Sequence, residues 1–128
     1  MSAQTKTVRW SVSSRTELRA LPKEVRRIIG HALWEVQSGM RPLDAKVLRG
    51  FGGGGVLEIR ADHGGNAYRA VYTVRLGEAV YVLLVFQKKS KKGIKTPADI
   101  MDLIRKRLKA AEKDYEAQKK RDENTDSV

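Results

Sequence analysis

Residues Val80–Phe86 read VYVLLVF, and Lys88–Lys95, just beyond, read KKSKKGIK. The first run is apolar on both faces, which marks a strand at the centre of a sheet. The second carries five lysines and no acid. A buried strand feeding such a run sets several mobile cations at the rim of a rigid sheet. That rim suits a polyanion.

Two alternating runs lie upstream. In Val56–Arg60, Leu57 and Ile59 oppose Glu58 and Arg60. In Ala67–Leu76, Tyr68, Ala70, Tyr72, Val74 and Leu76 share one face, and Arg69, Val71, Thr73 and Arg75 share the other. The compact turn signal DHGGN at Asp62–Asn66 separates them, so they pair as a hairpin. Gly77 and Glu78 turn the chain into Val80–Phe86.

A first strand is expected over residues 5–12, with Val8, Trp10 and Val12 on one face. Ser13 or Ser14 caps a short helical turn at Thr16–Leu21. Pro22 opens a longer helix whose stripe is Val25, Ile28, Ile29, Ala32, Leu33 and Val36, and Gly39 stops it. Residues 41–55 read as a connection, anchored by Val47 and Leu48. The glycines 52–55 are a permissive turn. They lack the G-x-x-x-x-G-K-[ST] pattern and precede a strand, whereas a phosphate loop opens a helix. Thr96, Pro97 and Asp99 start a last helix, with Ile100, Leu103, Ile104, Leu108, Ala111 and Tyr115 as its stripe. Past Tyr115 the chain is polar. The expectation is one α+β domain over residues 1–116: two N-terminal helices packed on a twisted, mainly antiparallel sheet, then a C-terminal helix. Residues 117–128 are expected to be a disordered polar tail.

Composition narrows the chemistry. The chain has 128 residues and no cysteine. Disulfides and thiolate metal sites are excluded. Two well-separated histidines do not suit a zinc site, so no metal is expected. No apolar stretch approaches the roughly 20 residues that span a bilayer, and MSAQTKTVRW has no signal-peptide pattern. No membrane contact and a cytoplasmic location are therefore expected. The formal charge is +11. Most of the surplus precedes residue 105, which favours a positive surface on the folded body over a basic arm.

The candidate site residues follow. Arg60 and Arg69 lie on paired strands, opposite their apolar neighbours. Arginine holds its charge and offers a fixed fork of donors for phosphate; the bland reading is a pair of exposed or salt-bridged sheet arginines. Lys88 and Lys89 are candidates for charge stabilisation or proton transfer, and Lys91, Lys92 and Lys95 for binding RNA backbone. The bland reading there is a solvated charge run. His63, in the turn beside these strands, is the better acid–base candidate of the two histidines, weighed against a hydrated turn residue. Tyr81, by its parity, and Phe86, at the strand end, are candidate stacking platforms for bases. Tyr68 and Tyr72 read as core, and Trp10 and Trp34 as core or helix packing.

LEIR at Leu57–Arg60, YRAVY at Tyr68–Tyr72, VYVLLVFQKKSKK at Val80–Lys92 and TPADI at Thr96–Ile100, in that order, resemble the phage-derived Gp49-like, HigB-type toxins of the RelE/ParE toxin superfamily. The resemblance covers about residues 5–115. It implies a RelE-like fold and the toxin of a type II toxin–antitoxin pair. It further implies an mRNA interferase that cuts messenger RNA on the ribosome and inhibits translation, with the ribose 2′-hydroxyl as nucleophile and no cofactor. Arg60, Arg69, Lys88 and Lys89 match the family's basic residues. The implied partner is a cognate helix-turn-helix antitoxin of the HigA type. A ParE-like inhibitor of DNA gyrase and a non-catalytic RNA-binding module are the alternatives.

Overall fold

The computed structural model describes residues 5–53, 55–88 and 96–126. Strand β1 (Thr7–Trp10) leads into helices α1 (Ser14–Arg19) and α2 (Lys23–Gln37). Strands β2 (Ala45–Val47), β3 (Val56–His63), β4 (Asn66–Thr73) and β5 (Ala79–Lys88) follow, and α3 (Ala98–Asp126) closes the chain. The five strands form one sheet in the order β1-β5-β4-β3-β2. Only the β1–β5 pair is parallel; the other three are antiparallel. This is the expected α+β architecture, with VYVLLVF inside the sheet.

Each face of the sheet buries its own core. Leu57, Ile59 and Ala61 of β3, Tyr68, Ala70 and Tyr72 of β4, and Val80, Val82 and Val85 of β5 pack against Val25, Ile29, Leu33 and Val36 of α2. On the opposite face, Val56, Val71, Tyr81, Leu83 and Leu84 pack under Ile104, Leu108 and Ala111 of α3. Fully burying each large aliphatic side chain contributes roughly 1.5–3 kcal/mol, so the two layers together fix the orientation of every strand.

The face assignment changes within β5. Tyr72 pairs with Val82 and Val71 with Leu84, leaving Leu83 as the extra residue of a bulge. Leu83 and Leu84 both face α3. Beyond the bulge, even-numbered residues take the face that odd-numbered ones held before it. Phe86 and Lys88 therefore lie across from Arg69 and Ala67.

Side chains continue the hydrogen bonding where β1 ends. Ser11 Oγ donates to the Leu83 carbonyl at 2.7 Å, and Arg107 Nη1 donates to the same oxygen at 3.0 Å. Val85 N–H donates to Glu17 Oε1 at 3.1 Å. Arg107 also grips Glu17 with two bonds of 2.8 Å. This bidentate pair joins α1, β5 and α3 and satisfies backbone groups that would otherwise be buried without partners.

Several expectations are corrected. Residues 41–55 are not only a connection: Ala45–Val47 is an edge strand, too short to show a period. Its Val47 is exposed, whereas Leu48 does pack under α3. Val12 lies past β1 and is exposed. Ser13 makes no side-chain cap; it takes a left-handed conformation, φ 78°, and Ser14 Oγ donates back to the Ser11 carbonyl. Ile28 is at the edge of the α2 stripe and partly exposed. Trp34 is exposed too, stacked on His31 with ring centroids 5.9 Å apart. Helix α3 runs on to Asp126, through residues expected to be a disordered tail. Gly77, at φ 62°, makes the turn into β5, and a Cβ there would lie 2.9 Å from the Tyr115 ring.

Candidate nucleic-acid interface and catalytic face

Register builds the site. Arg60 of β3 pairs with Arg69 of β4, which pairs with Phe86 of β5. One row toward the hairpin tip, Asp62, Ala67 and Lys88 stand side by side; one row the other way are Glu58, Val71 and Leu84. These residues share the face that α3 covers farther along the strands. The polar members form the cluster Glu58, Arg60, Asp62, Arg69 and Lys88.

Arg60 and Arg69 have different environments. Arg60 is exposed, and its backbone N–H donates to the carbonyl of Asp44, the residue before β2. It borders a cleft of about 360 Å³ shared with Ile28, His31 and Leu43. Arg69 is only 4% exposed. Its Nη1 donates to Asp62 Oδ1 at 3.1 Å and to the Tyr68 carbonyl at 2.8 Å, and its Nε lies 3.6 Å from Glu58 Oε1. Arg69 is thus a buried, ion-paired centre of the cluster, which corrects the expectation that both guanidiniums lie open; of the two, Arg60 is the exposed one.

Glu58 is the residue that sequence reasoning missed. Its side chain is 15% exposed. Burial pushes its carboxyl above the ordinary glutamate range, even though Arg69, Lys88, the Thr96 hydroxyl and Arg60 all pull the other way. Thr96 Oγ1 approaches Glu58 Oε2 at 3.4 Å, so the threonine expected as a helix cap is turned toward the carboxylate. The available signal was its place in LEIR, on the face of Arg60 and opposite Leu57 and Ile59.

The remaining candidates separate. Lys88 ends β5 on the cluster's face, half-buried. Lys89, Lys91, Lys92 and Lys95 lie outside the described residues. Phe86 is half-buried at the edge of the α3 core. Tyr81 is corrected: it lies beneath α3, 2% exposed, and its hydroxyl donates to Asp114 Oδ2 at 3.2 Å. Burial, then the Asp114 charge, raises its pKa. No base reaches it there. His63 is also corrected. It is exposed at the end of β3, paired with Asn66, and by strand alternation it falls on the face opposite Arg60.

The glycine turn packs near the start of α3. Arg75 donates to the carbonyls of Phe51 and Gly52, and the Arg105 guanidinium lies 5.5 Å from the Phe51 ring centroid. Among the described residues, no group of three or more His, Cys, Asp or Glu is placed to hold a metal ion. Nor is any described helix long and apolar enough to cross a membrane.

A five-stranded sheet with a parallel β1–β5 pair, α2 on one face and α3 on the other, is the fold of the RelE toxins. A structure of a substituted E. coli toxin RelE in the free state is similar over 69% of this chain and 88% of its own, with 22% identity and a TM-score of 0.54. The toxin–antitoxin complex RelBE2 from Mycobacterium tuberculosis contains a chain similar over 66% of this one and 99% of its own, at 24% identity and a TM-score of 0.47. The comparison with curated proteins returned no match. The family described as phage derived protein Gp49-like matches residues 16–109. The chain belongs to that family.

Proposed function

We propose that this protein is the toxin of a type II toxin–antitoxin pair and acts as an endoribonuclease on messenger RNA at the ribosome. The observation that carries the reading is the row of cations on one sheet face. Arg60 is exposed, Lys88 half-buried, and both flank a buried Glu58–Arg69 pair. Net charge of +11 adds long-range attraction for a polyanion. Membership of the Gp49-like family and the RelE fold support the same reading.

In this mechanism Arg60 binds the scissile phosphate and stabilises the charge that develops on it. Lys88 protonates the leaving 5′-oxygen. Arg69 acts from behind, as a positioning residue and a fixed positive charge. Lys89, Lys91, Lys92 and Lys95 extend the contact along the RNA backbone. The partner is a helix-turn-helix antitoxin that neutralises this face. No metal is used, and the site of action is the cytoplasm.

The test is a translation reaction with a defined messenger, mapped by primer extension. Ribosome-linked cuts by the wild type, lost in Arg60→Ala, are the expected result. Intact messenger with blocked gyrase supercoiling would turn the assignment to a gyrase inhibitor. Intact messenger with RNA binding preserved would leave a binding module.

A further inference from the structure

We propose that Glu58 is the group that takes the proton from the attacking ribose 2′-hydroxyl, with Arg69 and Thr96 fixing its carboxylate. This rests on the RNA-cleavage reading above and supplies the base that reading lacks.

Few groups on this face can take a proton. His63 falls on the opposite face by strand alternation, and His31 sits on α2, on the far side of the cleft that Arg60 borders, 3.6 Å from Glu35. Tyr81 is committed to Asp114 under α3. Glu17 is held by Arg107 at the far edge of β5. Asp62 does face the cluster, but its side chain is 65% exposed and its Oδ1 accepts from Arg69. Glu58 alone among these joins the cation row while being largely withdrawn from water.

Both contacts to the Glu58 carboxylate are long, 3.6 Å from Arg69 and 3.4 Å from Thr96. They orient the oxygens without saturating them, so lone pairs stay free for an incoming hydroxyl. Arg60 is cross-strand from Arg69, two residues along β3 from Glu58 on the same face. Lys88 acts on Glu58 electrostatically from the end of β5, across the intervening β4. A phosphate held by Arg60 then has a carboxylate on one side and an ammonium on the other. Burial makes that carboxylate a stronger base than one in water, which moves it toward the working pH.

The step balances. The 2′-oxygen forms a bond to phosphorus as its proton passes to a Glu58 oxygen. The bond from phosphorus to the 5′-oxygen breaks, and that oxygen takes a proton from the Lys88 ammonium. The products are a 2′,3′-cyclic phosphate and a 5′-hydroxyl. Exchange with water restores both side chains.

The experiment uses the full chain with ribosomes carrying a defined messenger, and reads single-turnover cleavage from about pH 5 to about pH 8.5. The wild type is expected to show an acidic limb that rises as Glu58 ionises. Glu58→Gln should cut at least about 100-fold more slowly, bind ribosomes as before, and lose that limb. Glu58→Asp should recover part of the rate. Thr96→Val covers the case in which Glu58→Gln does not fold. Losing the hydroxyl's hydrogen bond raises the Glu58 pKa further, so the acidic limb should move to higher pH. A folded Glu58→Gln within about threefold of wild type, or an unmoved limb in Thr96→Val, overturns the assignment. A wild type that cuts no messenger overturns the RNA-cleavage reading itself. A cutting wild type with an indifferent Glu58 overturns only this inference.

Discussion

Replacing Arg69 with methionine tests the centre of the cluster. The methionine fills much of the space of the arginine stem but removes the charge and the hydrogen bonds. Two carboxylates lose a partner, and they do not count equally. Asp62 has a side chain 65% exposed, so its loss falls in the range of surface pairs, about 0–1 kcal/mol. Glu58 is 15% exposed. Breaking a buried pair costs about 3–5 kcal/mol because one charge is left without compensation. Glu58 limits that cost by taking up a proton, which places the expected loss near the lower end, about 3 kcal/mol. In a chain of this size that lowers Tm by roughly 10 °C. The pH dependence gives a second handle. Arg69 holds the Glu58 pKa down against burial, so its removal raises that pKa further. A carboxyl whose folded pKa lies above its unfolded one contributes stability at acid pH and loses it as pH rises through the folded value. The deficit of Arg69→Met against wild type should therefore widen from acid to neutral pH. Adding Glu58→Gln should recover part of it, since no charge is then left buried. Urea titrations followed by circular dichroism at several pH values read all three quantities. A loss below about 1 kcal/mol, or a deficit that does not change with pH, would refute a buried Glu58–Arg69 pair.

Three further outcomes are expected. Arg60→Ala, on an exposed side chain, should change stability by less than about 0.5 kcal/mol while ending growth arrest on expression. Chemical denaturation and a plate assay check the two halves. Lys88→Ala should weaken ribosome or RNA binding and flatten the plot of log affinity against log salt by about one unit, measured by fluorescence anisotropy. Arg107→Met should cost about 3 kcal/mol, because it strands the half-buried Glu17 carboxylate and removes a donor from the Leu83 carbonyl; thermal unfolding reads it.

The architecture was legible wherever one period dominated. The β3–β4 hairpin follows from strict alternation around DHGGN, and α2 from its apolar stripe. What escaped had no period to show. β2 is three residues long, and its place depends on pairing with β3. Val12 fits the alternation of β1, yet β1 ends at Trp10, and Ser11 makes the last bonds to β5, through its N–H to Val82 and its hydroxyl to Leu83. The end of α3 is polar all round, so no apolar stripe marks it as helix. In the site, alternation placed Glu58, Arg60 and Arg69 on one face, but burial is a tertiary property. LEIR and YRAVY do not reveal that Arg69 is enclosed and Arg60 open. Tyr81 was placed on the correct face by parity; the sequence shows no reason why α3 should cover that point and leave the hairpin end uncovered.

The bulge in β5 links fold to chemistry, and it explains why the basic rim was harder to place than to find. In a regular strand Tyr81 and Lys88 would face opposite sides. Leu83 shifts the register by one, and Lys88 turns to the face of Glu58 and Arg69. A run apolar on both faces gives no sign of such a shift, because Leu83 and Leu84 are buried in either register. The shift is held from outside the strand, by Ser11, Glu17 and Arg107 on the Leu83 carbonyl and Val85 amide. Those residues touch no part of the cation row. They determine which side of the sheet receives the ammonium of Lys88, and so whether it stands on the face of Glu58, Arg60 and Arg69 or on the opposite one.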